Sequence, residues 1–139
     1  MDGKTIQEIN LGDKAEFTKT ILETDITFYC AISGDFNPMH VDQVHAESTR
    51  FGGRIAHFGV AGGLMAPILG MQLPGKGTIT LEHWTRHYKP VYAGDTITCS
   101  GEVVKRDEEK NVVDIDFTWT NQKGQVVIIG GAKVMPPKK

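Results

Sequence analysis

The sequence predicts an α+β fold in which a curled antiparallel sheet wraps around a central helix. The predicted elements run in the order strand, helices and then four long strands. Residues 55–75 contain no Asp, Glu, Lys or Arg, which is typical of a helix that is buried all round. Residues 113–119 alternate between apolar and polar side chains, so that strand has one buried and one wet face. Such a sheet and helix bury each other when the sheet curls around the helix.

Length and composition indicate one ordinary globular domain over residues 1–139. The chain has 139 residues, of which 40% are hydrophobic and 23% charged, which is enough for a sizeable core. A net charge of −2 predicts neither a nucleic-acid partner nor an anionic membrane surface. Cys30 and Cys99 lack metal-binding spacing and are expected to be core residues in a reducing compartment. The first residues lack the pattern of a signal peptide, so we expect a cytoplasmic protein.

The first half of the chain predicts one strand and two short helices on either side of a polar loop. Residues 15–22 combine Thr with aromatic and aliphatic side chains and predict the first strand. Thr24 is a favourable N-cap, and Asp25 suits the first turn of a helix that should end at Gly34. Asp42 is a favourable N-cap for a second helix over residues 43–48.

The uncharged run predicts the central helix, from about Phe58 to Met71. Gly and Ala are frequent in it, which allows other groups to approach its backbone closely, and Pro67 should kink it. The run is long enough to span a bilayer. However, it contains His57, Gln72 and two prolines and has no dense apolar block, so we expect a helix of a globular protein and no membrane span.

The second half predicts four antiparallel strands joined by short turns. The strands cover residues 78–88, 96–106, 113–119 and 126–134, all rich in β-branched or aromatic side chains. Residues 89–95 and 121–124 have the composition of turns. The last residues, 135–139, are expected to fray.

The polar loop between the predicted helices carries the candidate catalytic pair, Asp35 and His40. Pro38 disfavours the helical conformation at Asn37, so the chain must turn or extend between the carboxylate and the imidazole. A stiff segment that presents both groups suits acid–base chemistry on a water molecule. Each residue alone has an ordinary alternative role, Asp35 as the cap of a turn and His40 as a hydrogen-bonded core histidine. Their occurrence together favours catalysis.

Neighbouring polar residues are predicted to support this loop. We expect the Asn37 amide to brace it and His57 to orient it through a hydrogen bond. A bound divalent metal is the alternative hypothesis, which chelator sensitivity would test. Scattered His and Asp side chains more often serve as caps and hydrogen-bond partners, so we expect no metal and no other cofactor. The possible ligands in this span are Asp35, His40, Asp42, His45 and His57.

Together these motifs resemble the MaoC-like, (R)-specific enoyl-CoA hydratase family. The resemblance implies a hot-dog fold, a homodimer, and a hydro-lyase that reversibly adds water to trans-2-enoyl-CoA thioesters to give (R)-3-hydroxyacyl thioesters. Asp35 and His40 take the positions of the family's catalytic pair. The motifs are Ser33-Gly-Asp-Phe-Asn-Pro-Met-His-Val-Asp42, Phe51-Gly52, Ile55-Ala-His57, Gln72-Leu-Pro-Gly-Lys-Gly77 and Pro90-Val-x-x-Gly-Asp95.

The resemblance also implies an oxyanion site made by backbone N–H groups at the start of the central helix. The family has Gly directly after the motif histidine, whereas this chain has Phe58, followed by Gly59. The N–H group survives this substitution, but a bulky side chain must be housed. Ala66 stands where some relatives carry a helpful Ser, so that polar contact is absent. Both changes bear on the length of acyl chain that the site accepts.

Two alternatives on the same fold remain open. A thioesterase would use a similar carboxylate and helix terminus to attack the thioester carbon, and it would release free thiol. A non-catalytic subunit would bind acyl thioesters without turnover, with Phe58 blocking the pocket. The sequence does not distinguish CoA from acyl-carrier protein as the thiol component, nor does it set the acyl length.

Overall fold

A computed structural model describes residues 2–139 and shows a five-stranded antiparallel sheet packed against helices. A single turn of 3-10 helix, Ile6–Glu8, precedes the first strand. The helices are α1 (Glu23–Ser33), α2 (Pro38–Val41), α3 (Gln43–Glu47), α4 (Phe58–Gly62) and α5 (Met65–Met71). The strands are β1 (Lys14–Thr20), β2 (Ile79–His87), β3 (Thr96–Asp107), β4 (Val112–Thr120) and β5 (Val126–Met135).

The sheet has the strand order β1-β3-β4-β5-β2, with β1 and β2 at its edges. The predicted alternation in β4 is confirmed, since Val113, Ile115, Phe117 and Trp119 are at most 2% exposed. These side chains pack with the helices in one hydrophobic core. The predicted α+β fold, with a sheet around a central helical segment, is therefore confirmed, and it is the hot-dog architecture that the resemblance implied.

The central helical segment consists of α4 and α5, which pack against the buried face of the sheet. Ile68 and Leu69 of α5 are almost fully buried in the core. In α4, the carbonyl of Ala61 accepts a hydrogen bond of 2.8 Å from the indole Nε1 of Trp119, in a buried environment. Because a buried indole N–H needs an acceptor, this bond ties the start of the central segment to the sheet.

The central segment differs from the predicted single helix, Phe58 to Met71, that is buried all round. The helix is interrupted at Gly63 and Leu64, whose ψ angles are both −9°. Pro67 therefore lies in the first turn of α5, where its missing N–H costs no intrahelical bond, and not at a kink in mid-helix. One side of the segment is also open, since Phe58 is 68% and Met71 79% exposed.

The boundaries of α1 correct one prediction and confirm another. The helix begins at Glu23 with Leu22 as its N-cap, whereas the sequence predicted Thr24. The Asp25 carboxylate accepts the Leu22 N–H at 2.8 Å, which satisfies a free donor of the first turn and moves the start upstream. Gly34 ends the helix in the left-handed conformation, with φ of 77°, as predicted.

The C-terminal residues are docked, which corrects the expectation that they fray. The buried Asn111 side chain donates a hydrogen bond of 2.9 Å to the Pro136 carbonyl. The Lys139 ammonium binds the Glu8 carboxylate at 2.8 Å, and this bond, together with hydrogen bonds from Thr5, lowers the pKa of Glu8 to about 2. Partners so distant along the chain leave no local signal in the sequence.

The two cysteines and the uncharged run were also assigned to the interior of a globular protein. Cys30 and Cys99 are buried free thiols, as expected for core residues, and burial raises the pKa of the Cys99 thiol to about 12. Within residues 2–139, no helix has both the length and the hydropathy that crossing a membrane requires.

Candidate active site

Asp35 follows the end of α1 and is held there by three hydrogen bonds. Its N–H donates to Ser33 Oγ at 3.1 Å, and its carbonyl accepts from His57 Nε2 at 2.9 Å. Its carboxylate Oδ1 accepts the N–H of Asn37 at 3.0 Å. The side chain is 43% exposed. These bonds fix the backbone and one carboxylate oxygen, so Oδ2 is the oxygen left for other partners.

His40 lies on α2, a one-turn helix that the sequence analysis missed. The Asn37 side chain accepts the Met39 N–H at 3.2 Å, and Pro38 occupies the first helical position. An Asn-Pro pair is a recognisable helix start. The hydrogen bond from Met39 to the Asn37 side chain agrees with the prediction that this side chain braces the loop. The extended conformation predicted for Asn37 is also present, with ψ of 129°.

The ring of His40 is oriented by a backbone carbonyl. Its Nδ1 lies 2.7 Å from the carbonyl oxygen of Ile55. A carbonyl can only accept, so Nδ1 carries a proton, and in the neutral ring Nε2 then has a free lone pair. Nothing in the sequence indicates this partner, because a backbone carbonyl has no residue type to recognise.

The structure brings Asp35 and His40 together, as their spacing predicts. Asp35 Oδ2 lies 3.7 Å from His40 Nε2, and the His40 side chain is only 8% exposed. This separation is too long for a direct hydrogen bond, but one oxygen atom about 2.8 Å from each can bond to both. The pair can therefore hold a single water-sized group between a carboxylate and an imidazole.

His57 packs beneath the pair and contacts both members. Its ring stacks on that of His40, with centroids 3.8 Å apart, and its Nε2–H donates to the Asp35 carbonyl at 2.9 Å. The ring is 2% exposed and also lies 4.7 Å from the ring of Tyr29 and 3.5 Å from the thiol of Cys30. Its other nitrogen, Nδ1, is buried without a partner in the part of the chain described. This geometry agrees with the supporting role predicted for His57.

The N-terminus of α4 begins directly after His57. Among residues 2–139, no side chain caps this terminus. Val60 is the first residue of α4 whose N–H bonds to a backbone carbonyl in that part of the chain, and its acceptor is His57. The N–H groups of Phe58 and Gly59 precede that of Val60. Free N–H groups at a helix start suit an anionic oxygen.

The five possible metal ligands do not converge. Asp35, His40 and His57 each offer one ligand atom, all within 4.8 Å of one another. Asp42 instead caps α3 by accepting the N–H of His45 at 2.9 Å. The Nε2–H of His57 is donated to the Asp35 carbonyl, so this nitrogen has no lone pair to offer an ion. The arrangement is therefore poor for a metal.

Two cavities meet at Phe58. The helix–β2 cavity, of about 400 Å³, lies between α4–α5 and β2. The loop cavity, of about 270 Å³, lies between the loop at Arg50 and Phe51 and the segment that follows β2. The Phe58 ring lines both, and its centroid lies 6.3 Å from that of Tyr29 and 6.4 Å from that of His87. Phe58 is thus accommodated at the position where the two cavities meet.

The inner side of β2 contributes site residues that the sequence analysis did not predict. His87 lines the loop cavity, and burial lowers the pKa of its imidazole. His83 and Thr85 line the helix–β2 cavity. The sequence does contain a pattern that indicates these residues. His83, Thr85 and His87 occupy every second position of the predicted strand, which places them on one face.

Comparisons with known proteins place the chain among enzymes. Residues 7–123 match the family described as MaoC like domain. The chain is similar to the (R)-specific enoyl-CoA hydratase of Rhodospirillum rubrum, at 38% identity over 96% of this chain and 92% of that protein. Its structure is similar to that of R-hydratase PhaJ1 from Pseudomonas aeruginosa, with a TM-score of 0.92 and 37% identity over 99% of this chain and 88% of that one. It is also similar to the structure of the (R)-hydratase from A. caviae, with a TM-score of 0.90 and 34% identity over 94% and 99% of the two chains.

Proposed function

The chain belongs to the MaoC-like domain family, and we propose that it is an (R)-specific enoyl-CoA hydratase, a hydro-lyase that reversibly adds water to trans-2-enoyl thioesters. Relatives at 34–38% identity are named (R)-specific enoyl-CoA hydratase. The observation that carries the proposal for this chain is the approach of Asp35 Oδ2 to His40 Nε2, at 3.7 Å. The proposed catalytic unit is the single domain of residues 1–139.

We propose that Asp35 and His40 act together on one water molecule. The water oxygen bonds to C3 of the enoyl group while the pair takes one of its protons, and the pair then returns a proton to C2. The product gains the elements of one water, with no cofactor consumed. Both transfers come from one side of the double bond, because the same two side chains hold the water. Each positioned proton transfer is worth about 10²–10⁴-fold in rate.

The backbone N–H groups of Phe58 and Gly59 are the proposed oxyanion donors. Negative charge gathers on the thioester oxygen as the water oxygen adds, and a preorganised donor at that point is worth about 3–4 kcal/mol. The absence of a capping side chain on α4 supports this assignment. Asn37 and His57 are proposed to hold the loop, because they bond to the chain around Asp35 and Met39.

The proposed assembly is a homodimer with an acyl-CoA thioester as substrate, acting in the cytoplasm without nucleic acid, membrane or metal. The exposed edge strand β2 supports the dimer, because among residues 2–139 it pairs only with β5 and exposes Ile79, Leu81 and Trp84 by 47–59%. An apolar, unpaired edge strand is a surface that a partner strand can cover.

The function is tested by hydration of crotonyl-CoA with chiral analysis of the 3-hydroxybutyryl-CoA formed. We expect the wild-type chain to give the (R) product without release of free thiol, which separates hydration from thioesterase activity. Asp35→Asn should lower kcat/KM about 10²–10⁴-fold with the circular dichroism spectrum unchanged, because the amide cannot take the proton.

Asp42→Asn is the matched control for that variant. Asp42 lies on the same loop, but its carboxylate only caps α3, and Asn is an equally good cap. Its activity should therefore equal that of the wild type. Near-normal turnover in Asp35→Asn would contradict the mechanism, and release of free thiol would contradict hydration as the reaction.

A further inference from the structure

The inner face of β2 is polar where it turns towards the helices. In the register with β5, the inward-facing residues of β2 stand opposite the buried residues Val134, Ala132, Gly130 and Ile128. This face is not packed into the core, since three of its four residues are exposed and the fourth is half-buried. The inward-facing residues here are Thr80, His83, Thr85 and His87.

The opposite wall of the helix–β2 cavity has almost no side chains. Gly59, Gly62, Gly63 and Ala66 line it on the helical side. A Cβ atom on Gly62 would lie only 3.8 Å from the methyl group of Thr85, so the helix backbone comes close to the strand. The small residues thus leave the polar groups of β2 facing an open space of about 400 Å³.

The outward-facing side of the same strand is mixed, because it carries Glu82 and Arg86 as well as Ile79 and Trp84, which are 59% and 51% exposed. Hydrogen bonds within the protein satisfy only part of the polar inner face of β2. Thr85 Oγ1 and His87 Nε2 bond to each other at 3.0 Å, whereas Thr80 and His83 have no side-chain hydrogen bond among residues 2–139.

The helix–β2 cavity holds hydrogen-bonding groups without a fixed charge. No Lys, Arg, Asp or Glu is among its lining residues. Its remaining walls are the apolar Met65 and Leu69 and the ring of Tyr29. Such a lining suits an aliphatic group that carries a neutral polar atom, and it offers no ion-pair partner to a carboxylate.

Resting on the proposed hydratase function, we propose that the helix–β2 cavity binds a 2-enoyl chain bearing an uncharged oxygen substituent, hydroxyl or carbonyl, beyond the double bond. The cavity begins at Phe58 and Gly59, whose N–H groups are the proposed donors to the thioester oxygen. An acyl chain that continues from there passes between α5 and β2. An all-carbon chain would take the hydroxyls and imidazole of β2 out of water without replacing their hydrogen bonds, which disfavours it.

The test compares two substrates of equal length. In 6-hydroxy-trans-2-hexenoyl-CoA a hydroxyl replaces the terminal methyl of trans-2-heptenoyl-CoA. We expect the wild-type chain to hydrate the hydroxylated thioester with a kcat/KM at least about tenfold higher, since a polar group that the all-carbon chain covers and leaves without a hydrogen bond costs about that factor. A 6-carboxy analogue reports separately on charge and should be the poorer substrate of the two polar ones.

Two variants locate the preference in the cavity. Thr85→Val and His83→Leu keep the side-chain volume but remove hydrogen-bonding groups, so each should lower the hydroxyl-over-methyl ratio of kcat/KM at least about threefold. Thr118→Val is the matched control, because Thr118 is exposed on β4 outside this cavity. It should leave the ratio unchanged.

The outcomes separate this inference from the function on which it rests. Equal or better hydration of the all-carbon thioester, an unchanged ratio in both cavity variants, or a preference for the carboxylate would each overturn the inference while crotonyl-CoA hydration stands. A wild-type chain that hydrates none of these thioesters, crotonyl-CoA included, would overturn the proposed function and the inference with it.

Discussion

Gly59 shows at the scale of one residue how the chain accommodates Phe58. A Cβ atom at position 59 would overlap the ring and hydroxyl of Tyr29. Tyr29 in turn packs against His57, with ring centroids 4.7 Å apart. The glycine is therefore required for space beside the aromatic ring, and the bulky Phe58 stands one position earlier, where it lines both cavities.

Gly59→Ala should destabilise the protein by about 1–3 kcal/mol, because overpacking forces Tyr29 or α4 to move. Denaturant unfolding measures the loss. Gly70→Ala is the control, since a Cβ there meets nothing within 4 Å and Ala favours the helix. Adding Tyr29→Ala to Gly59→Ala should give a loss smaller than the sum of the single losses. Equal effects at positions 59 and 70 would contradict the packing argument.

At the scale of the element, β3 places a thiol in the middle of the core. Cys99 is fully buried and stands opposite Phe17 on β1 and Trp119 on β4. Burial disfavours the charged thiolate, which raises its pKa from 9.0 to about 12. A group whose pKa is higher in the folded state stabilises the fold below its unfolded pKa and loses that contribution as the pH rises.

The free energy of unfolding should therefore fall above pH 9 through Cys99. Between pH 9 and 12 the thiol contributes a decline of about 1.4 kcal/mol per pH unit. Cys99→Val removes the titrating group at similar volume, so the difference in unfolding free energy between wild type and variant should change with pH by that slope. Denaturant unfolding at pH 10 and pH 11 measures it. A difference that does not depend on pH would contradict the assignment.

The central segment also shows how an element adapts to a proline. Pro67 was predicted to kink one long helix, but the chain instead ends α4 and starts α5 two residues before the proline. Restarting the helix moves Pro67 into a first turn, where no backbone bond is lost. The break also lets α4 present its own N-terminus next to His57.

At the scale of the whole molecule, the sheet has an edge at β2 that no other strand among residues 2–139 covers. β2 has a free backbone edge and exposed apolar side chains. We expect light scattering to give a mass twice the chain mass of 15.3 kDa, because a second copy can cover this edge. Ile79→Lys combined with Leu81→Lys should shift the mass towards the monomer, since edge lysines oppose strand pairing.

Val104→Lys is the matched control for the edge variant. Val104 is also apolar and 46% exposed, but it lies on β3 in the interior of the sheet. Its mass should remain that of the dimer. A wild-type chain that is monomeric at micromolar concentration would contradict the proposed assembly.

Local sequence patterns identify the five strands, the buried central run and the candidate pair. Alternation in β4, the uncharged central run and the loop from Ser33 to Asp42 are local patterns, and local patterns report directly on strand faces, buried helices and turns. Asp35 and His40 were identifiable for the same reason, since a proline-stiffened loop of a few residues constrains both.

How that pair is held, and what surrounds it, depends on contacts between distant parts of the chain. The Ile55 carbonyl sets the tautomer of His40, and His57 is stacked beneath it. The polar face of β2 opposes glycines of α4 and Ala66 of α5, and these segments meet only because the sheet curls around the helices. Such contacts join residues far apart in sequence through backbone groups and empty space, neither of which a residue type encodes.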